Sequence, residues 1–211
     1  MVGAIIQTKI FSYIIPSMKI TLPDGSVRKL EAGANGFDLA NNIGPGLAKA
    51  AIAVSVNGIQ KDLCDPINED SEVSIITIDS DEGLEIMRHT LAAQVLARAV
   101  KNLYPDTKLA IGPTIKDGFY YDFEFVKPIA PDDLDKIEKE MLKIINSKSS
   151  ITKKLHSKKD ALKVFNSIGE SYKESIIDES EQEDNFQLYY QEDDAFVDLC
   201  RGPHLPNLKH I

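Results

Sequence analysis

Four side chains with reactive groups lie within one seven-residue segment near the end of the sequence: Asp198, Cys200, Arg201 and His204. A carboxylate, a thiol and an imidazole that converge can bind a metal ion, activate a nucleophile or line a polar pocket. Gly202-Pro203 predicts a turn within the segment, because proline fixes φ and glycine tolerates most φ values. We therefore expect the turn to bring His204 back toward Asp198 and Cys200.

This segment alone is a weak functional signal. A free buried cysteine usually packs as a small hydrophobic residue, and a histidine four positions later is common. His89 strengthens the signal, because it lies far upstream on a predicted helix that is rich in apolar residues. Two distant histidine-bearing segments that must meet in one fold favour a site.

The elements that position these residues can be predicted from hydrophobic periodicity. Asp79-Ser80-Asp81 is a helix N-cap pattern, and a long helix is predicted from about Asp81 to Leu103, before Pro105. Its predicted apolar stripe consists of Leu84, Met87, Leu91, Val95, Ala99 and Leu103. Further strands are predicted over 109–113, 119–125, 151–155, 186–190 and 195–199. Two more helices are predicted over 132–145, with Leu134 buried, and over 157–168, with Ile168 buried.

The region before the long helix has the element order β-β-α-β-β from Met18 to Thr77. This order over about sixty residues predicts a small β-grasp, ubiquitin-like domain. Cys64 is expected to be packed in it. The sequence thus predicts an N-terminal extension at 1–17, with Met18 as the functional start, a β-grasp domain at 18–78 and an α+β domain at 79–211. In the second domain the long central helix packs against an antiparallel sheet.

Composition narrows the class of protein. The 211 residues have a formal charge of −9 and are 43% hydrophobic, which excludes a polycation and allows well-buried cores. The two cysteines give no disulfide framework and favour the reducing cytoplasm. No apolar run approaches the ~18 residues of a membrane span, so a membrane partner is not expected.

Several segments resemble the N-terminal part of bacterial-type threonyl-tRNA synthetases. Met18–Thr77 resembles their TGS domain, and five ordered motifs resemble their editing domain. These motifs are Glu85-Ile86-Met87-Arg88-His89, Leu109-Ala110-Ile111-Gly112-Pro113, Asp117-Gly118-Phe119-Tyr120-Tyr121-Asp122, Gly169-Glu170-Ser171-Tyr172-Lys173 and Val197-Asp198-Leu199-Cys200-Arg201-Gly202-Pro203-His204. The resemblance implies hydrolysis of seryl-tRNA(Thr), with the 3′ end of that tRNA and the remaining synthetase domains as partners. Such editing is needed because a pocket distinguishes one methyl group by only about 1–3 kcal/mol.

The resemblance also implies roles for individual residues. The catalytic set would be His89, Lys173, Asp198 and His204, and the substrate-binding set would be Gln94, Tyr121, Cys200 and Arg201. Lys173 would steady or protonate the leaving ribose oxygen, and Asp198 would hold the serine amino group. Cys200 would narrow the pocket against the threonine methyl group, and His204 would orient water or the terminal ribose.

One helix position departs from the family pattern His-x-x-x-His. Ala93 stands four residues after His89, and Gln94 aligns with the second histidine only if the helix contains one extra residue. Five residues turn an ideal helix by about 500°, which separates His89 and Gln94 by about 140°. Either a π-bulge near residues 90–93 absorbs the extra residue and brings His89 and Gln94 to one face, which is the interpretation that we favour, or Thr90 and Gln94 share a face with His89 beside them.

The same departure bears on metal binding and on activity. Alanyl-type editing sites bind a metal through His-x-x-x-His plus Cys-x-x-x-His, whereas the threonyl type is thought to work without one, so no metal or other cofactor is expected here. ATP and zinc would belong to the aminoacylation core, which this sequence does not contain. Two alternatives remain: a tRNA-binding or docking module with a decayed editing site, and a metal-dependent trans-editing hydrolase. Glutamine cannot shuttle a proton near neutral pH, which favours the first of these alternatives.

Overall fold

A five-stranded mixed sheet forms the first domain. The structure, a computed structural model, describes residues 17–192 and 194–211. The sheet has the strand order β2-β1-β5-β3-β4, with β1 parallel to β5 and the other pairs antiparallel. Its strands are β1 (Ser17–Thr21), β2 (Val27–Glu31), β3 (Ala51–Val56), β4 (Ile59–Asp62) and β5 (Ser71–Thr77). Helices α1 (Gly36–Ile43) and α2 (Pro45–Ala50) precede β3. The predicted β-grasp domain is therefore confirmed, whereas nearly all of the predicted extension at 1–17 lies outside the described residues.

Strand β4 and helix α2 were not predicted. Asn57 and Gly58 have φ values of 50° and 81°, the left-handed conformation that a tight hairpin turn between β3 and β4 requires. β4 is only four residues long and Ile59 is exposed, so it lacks the apolar alternation that would have revealed it. Cys64 follows β4 and is exposed, and its predicted packing is therefore wrong.

A continuous helical segment follows at residues 81–103. It consists of α3 (Asp81–Thr90), a π-helical turn (Leu91–Leu96) and α4 (Ala97–Leu103). Ser80 caps α3, since its side chain accepts a hydrogen bond from the Gly83 amide. The predicted long helix is thus confirmed, and so is the favoured π-bulge, although it lies at residues 91–96. The expected placement of His89 and Gln94 on one face is wrong, because His89 contacts Cys200 whereas Gln94 is hydrogen-bonded to Gln191.

The second domain places this helical segment against a three-stranded antiparallel sheet and helix α5. The sheet has the order β10-β11-β12. Its apolar core joins Val95, Ala99 and Val100 of the helical segment to Ile137, Ile151 and Tyr189. The remaining elements are β6 (Lys108–Leu109), β7 (Thr114–Ile115), β8 (Gly118–Phe119), β9 (Phe123–Glu124), α5 (Pro131–Ser147), β10 (Ile151–His156), α6 (Lys158–Ile168), α7 (Ser171–Asp178), β11 (Phe186–Gln191), β12 (Phe196–Leu199) and a 3-10 turn (Leu208–His210). The α+β fold class is confirmed.

Several details differ from the predictions. The strands predicted over 109–113 and 119–125 are short paired segments, β6 with β9 and β7 with β8. Between them, backbone hydrogen bonds join Asp122 to Ala110 and Ile111. Leu134 and Ile168 are exposed, since Leu134 lies in the first turn of α5 and Ile168 is the last residue of α6. Leu84 and Leu103 are also exposed, because the buried face of α3 contains Gly83, Ile86 and Thr90 instead, and Leu103 is the last residue of α4.

The two domains share an apolar interface. Ile52, Ala53 and Ile76 of the first domain form one buried cluster with Ile86 of α3 and Leu205. The residue before Leu205 is His204, so this interface lies directly beside one predicted site residue. In the described parts of the chain, no helix combines the length and the apolar character needed to cross a membrane.

Candidate functional site

The π-helical turn lies directly after His89 and Thr90, whose side chains contact Cys200 and His204 near the C-terminus. His89 Nε2 lies 3.0 Å from Cys200 Sγ, and the imidazole rings of His89 and His204 stack with centroids 4.5 Å apart. The two histidine-bearing segments therefore meet as predicted. Burial lowers the pKa of His89 and lowers that of His204 well below its usual value, so both imidazoles are neutral near neutral pH.

The hydrogen bonds of Thr90 define which nitrogen of His204 carries the proton. Thr90 Oγ1 donates its only proton to the carbonyl of Ile86 at 2.8 Å. It then accepts from the Leu205 amide at 3.0 Å and from His204 Nδ1 at 3.2 Å. A neutral His204 with a proton on Nδ1 has a lone pair on Nε2, and this atom is buried with no hydrogen-bond partner among the described residues. Nε2 can therefore accept a proton or a hydrogen bond from a ligand.

Cys200 is a thiol rather than a thiolate. Burial, with the nearby charge of Asp198, raises the pKa of the Cys200 thiol to about 12. Nucleophilic cysteines have the opposite shift, because a cation or a helix N-terminus stabilises the thiolate. Cys200 is therefore suited to shape the pocket and not to attack a substrate.

A second cluster surrounds a buried ion pair. Lys173 Nζ lies 2.9 Å from Asp198 Oδ1, and both side chains are less than 5% exposed. Lys173 also donates to the carbonyl of Ala110 at 2.9 Å and to the hydroxyl of Tyr121 at 3.5 Å. All three ammonium protons are thus used, and the contact with Tyr121 is the longest.

The two oxygens of Asp198 have different surroundings. Oδ1 accepts from Lys173 and, at 2.8 Å, from the Leu199 amide, whereas Oδ2 has only the Tyr121 hydroxyl at 3.5 Å. Burial raises the pKa of Asp198, and the ammonium of Lys173 opposes that shift. Burial and the charge of Asp198 raise the pKa of Tyr121, which therefore keeps its proton. Oδ2 is therefore the more weakly hydrogen-bonded oxygen of this carboxylate.

Glu170 holds the chain around this ion pair. Its buried carboxylate accepts from the Leu109 amide at 3.0 Å and lies 2.6 Å from Lys101 Nζ. Leu109 precedes Ala110, whose carbonyl binds Lys173. Helix α7, which was not predicted, carries Lys173 and begins directly after Glu170. The Gly-Glu-Ser-Tyr-Lys motif therefore both supplies the lysine and anchors the segment that receives it.

Gln94 and Arg201 lie apart from these clusters. The buried side chain of Gln94 accepts from Gln191 Nε2 at 2.9 Å, and its backbone carbonyl accepts from the same atom at 2.7 Å. Arg201 is exposed and makes no ion pair within residues 17–192 and 194–211. The substrate-binding roles of Gln94 and Arg201 stay predictions.

Three of the site residues could together hold a metal ion. His89, Cys200 and His204 each offer a ligand atom, and these atoms lie within 4.8 Å of one another. Histidine and cysteine are ligands that zinc prefers, and catalytic zinc sites use three protein ligands plus water. The unpartnered Nε2 of His204 is compatible with such a site, so the donor set fits zinc.

Thr90 and Tyr189 are site residues that the sequence did not reveal as such. The ring of Tyr189 meets that of His204 edge-on, with centroids 4.4 Å apart. Thr90 is fully buried within the helical segment, where an unpaired hydroxyl would be costly. A polar residue inside a predicted apolar helix is the signal in the sequence that could have identified it. Tyr189 read simply as one apolar residue of a strand.

Comparison with known proteins agrees with this architecture. The TGS domain family matches residues 18–77. The family described as the threonyl and alanyl tRNA synthetase second additional domain matches residues 187–211, which include Asp198, Cys200 and His204. The threonine–tRNA ligase of Paramagnetospirillum magneticum (strain ATCC 700264 / AMB-1) is 48% identical over 189 residues. The match covers 89% of this chain and 29% of that ligase, so the chain spans less than a third of its relative.

A β-grasp domain joined to an α+β domain with this cluster of histidine, cysteine, lysine and aspartate defines a class: the accessory domains of aminoacyl-tRNA synthetases. The chain has a TGS domain at residues 18–77, a match to the second additional domain family at residues 187–211, and similarity to a threonine–tRNA ligase along 89% of its length.

Proposed function

We propose that this chain hydrolyses the ester bond of tRNA(Thr) mischarged with serine. The observation that carries the proposal is the buried Lys173–Asp198 pair. Asp198 stands two residues before Cys200, whose thiol contacts one of the two stacked histidines. A buried pair is costly to desolvate, and buried polar groups of this kind are typical of functional sites. The seryl ester has an ammonium group, a carbonyl and a ribose hydroxyl, which match a carboxylate, a hydrogen-bond donor and an imidazole acceptor.

The Lys173–Asp198 pair would bind the substrate by exchanging its weakest contacts. Asp198 Oδ2 has one long contact to Tyr121, and the serine ammonium would replace it. Lys173 would release the same Tyr121 hydroxyl and donate to the ribose oxygen that leaves when the ester is cleaved. The Tyr121 hydroxyl would thus be the hydrogen-bond partner of Asp198 Oδ2 and Lys173 Nζ until the substrate enters.

His204 would orient the attacking water. Its Nε2 lone pair has no protein partner among the described residues, and Thr90 holds the ring by its Nδ1 proton. An imidazole with this tautomer can accept a hydrogen bond from water or from the neighbouring ribose hydroxyl. His89 would support this ring through their stacking contact.

Discrimination between serine and threonine would rest on Cys200. The thiol is uncharged and hydrogen-bonded to His89, so it cannot move freely out of the pocket. A rigid sulfur that fills the space of the extra methyl group would exclude threonine, because the methyl group would overlap with the sulfur.

We further propose that this hydrolysis needs no metal ion. The resemblance to the threonyl type supports this, as do Ala93 and Gln94 where the metal-binding relatives have the second helix histidine. If a zinc ion were bound, His89, Cys200 and His204 would hold it, and it would polarise a carbonyl or a water molecule.

The test is deacylation of Ser-tRNA(Thr) and Thr-tRNA(Thr) by this chain, with and without a chelator, together with metal analysis of the purified protein. Hydrolysis of the seryl ester alone, unchanged by the chelator, is the expected result. Chelator-sensitive hydrolysis would overturn the metal-free proposal and leave the editing proposal intact. Binding of tRNA without hydrolysis, also after fusion to a complete synthetase body, would replace it with the alternative of a binding module.

A further inference from the structure

A buried carboxylate of the TGS domain lies against the predicted catalytic histidine. Asp62, the last residue of β4, is 7% exposed, and its neighbours are in the second domain. Asp62 Oδ1 accepts from the His204 amide at 3.0 Å, and Oδ2 accepts from the Tyr189 hydroxyl at 2.7 Å. One carboxylate of the first domain thus binds two residues of the second domain.

Lys153 balances the charge of this carboxylate. Its Nζ lies 3.0 Å from Asp62 Oδ2 and also pairs with Asp65. Burial by itself would lower the pKa of Lys153, but the two carboxylates outweigh it and raise that pKa. A buried carboxylate is tolerated only when it is paired and hydrogen-bonded, and Asp62 satisfies both conditions.

We propose that Asp62 is a positioning residue for His204, so that the TGS domain forms part of the hydrolytic site. This inference rests on the proposed function. Asp62 fixes His204 through the backbone amide, and it fixes Tyr189, whose ring packs edge-on against the imidazole. Thr90, which belongs to the second domain as His204 does, accepts a hydrogen bond from His204 Nδ1. The Nε2 lone pair is thereby aimed by contacts from both domains.

The turn before His204 leaves little freedom for another arrangement. A Cβ atom added to Gly202 would lie 1.9 Å from the Tyr189 hydroxyl oxygen and 3.1 Å from Asp62 Oδ2. The turn therefore packs directly onto the two groups that hold His204, and a change at Asp62 is transmitted to the imidazole.

The apolar interface allows this role to be separated from folding. Ile52, Ala53 and Ile76 pack against Ile86 and Leu205 without any contribution from the carboxylate. Asp62→Asn keeps the size and one acceptor oxygen of the side chain and removes its charge. Asp65→Asn is the matched control, because Asp65 pairs with the same lysine, and an asparagine oxygen can still accept from the Asp62 amide as Asp65 Oδ2 does.

The experiment compares both variants of the 211-residue chain in Ser-tRNA(Thr) deacylation, in thermal unfolding and in NMR spectra of the histidine rings. We expect Asp62→Asn to lower kcat by about 10–100-fold with little change in KM, because small displacements of a reacting group have effects of this size. It should also move the His204 ring resonances, whereas Asp65→Asn should change neither. Tyr189→Phe, which removes one of the Asp62 contacts, should give an intermediate loss of kcat.

A folded Asp62→Asn variant with wild-type kcat and unmoved His204 resonances would overturn the inference. Equal effects of the two variants on kcat and on the resonances would do so as well, since Asp62 would then act only through Lys153. If the wild-type chain has no deacylase activity, the proposed function fails, and the resonances still decide whether Asp62 positions His204.

Discussion

Lys173 Nζ lies 2.9 Å from Asp198 Oδ1 in a place where solvent reaches neither side chain. The pair joins helix α7 to strand β12, and Lys173 also holds the carbonyl of Ala110. The ion pair therefore links three parts of the second domain, while Asp198 Oδ2 has only a long hydrogen bond from Tyr121 among the described residues. Its removal should affect both stability and activity, and the two effects can be separated.

Breaking the pair from one side should destabilise the protein more than replacing both partners. Asp198→Leu or Lys173→Met leaves an uncompensated buried charge, at a cost of about 3–5 kcal/mol in the free energy of unfolding. The double variant should lose much less than the sum of the two. Urea unfolding of all four proteins measures this, and additive losses would show that the two groups do not interact.

The same pair should be essential for hydrolysis. Lys173→Ala should reduce kcat/KM for Ser-tRNA(Thr) about 100-fold or more, because the leaving ribose oxygen loses its donor. Lys29→Ala, at an exposed position of the first domain, serves as the control and should leave the rate unchanged. Wild-type turnover by a folded Lys173→Ala variant would remove this residue from the mechanism.

The two neutral histidines make stability depend on pH. Their folded-state pKa values lie below 6.5, so below about pH 6.5 the unfolded chain binds protons that the folded chain does not. The contribution of these histidines to the free energy of unfolding should therefore be at its maximum above this pH. It should fall as the pH drops, by at most about 1.4 kcal/mol per pH unit for each histidine.

Urea unfolding between pH 5 and pH 7.5 measures that dependence. His204→Asn retains a donor near Thr90 but cannot titrate, so its slope should be smaller than that of the wild type. An identical slope in the variant would mean that His204 is not the buried titrating group.

Gln94 should contribute more to stability than to substrate binding. The side-chain oxygen and the backbone carbonyl oxygen of Gln94 both accept from Gln191, and the Arg98 guanidinium donates to the same side chain. Gln191→Leu removes the hydrogen-bond partner of the buried Gln94 side-chain oxygen and should cost about 1–3 kcal/mol, whereas Arg98 keeps its ion pair with Glu192. Gln182→Leu, at an exposed position, is the control. A higher KM for the seryl ester in Gln94→Leu, with stability unchanged, would instead establish Gln94 as a substrate contact.

Gly112 should be required for the placement of Tyr121. A Cβ atom at Gly112 would lie 2.2 Å from Tyr121 Cδ2 and 2.9 Å from the carbonyl oxygen of Tyr120. Gly112→Ala should displace the ring, reduce deacylation and destabilise the protein by about 1–3 kcal/mol. Gly118→Ala, where the nearest atoms lie 3.9 Å away, should be close to neutral, and equal effects of the two changes would refute this assignment.

Periodicity and capping, which are properties of short stretches of chain, were sufficient to predict the β-grasp domain and the long helix. The extra helix residue was predicted from the resemblance to the threonyl-tRNA synthetase motif, and the meeting of His89 with the Cys200 segment was expected because two distant histidine-bearing segments favour a shared site. The π-turn accommodates the extra residue, because one added residue in a helical motif has few places to go.

Only the tertiary structure decided how the site is held. Strand β4, the buried contacts of Asp62 and the hydrogen bonds of Thr90 depend on residues that are far apart in the sequence, and no local pattern encodes such pairings. The protonation of His204 likewise follows from a partner on another element, since burial and hydrogen bonding determine which nitrogen carries the proton. The sequence determined which groups are available for chemistry, and the packing of the two domains determined their geometry.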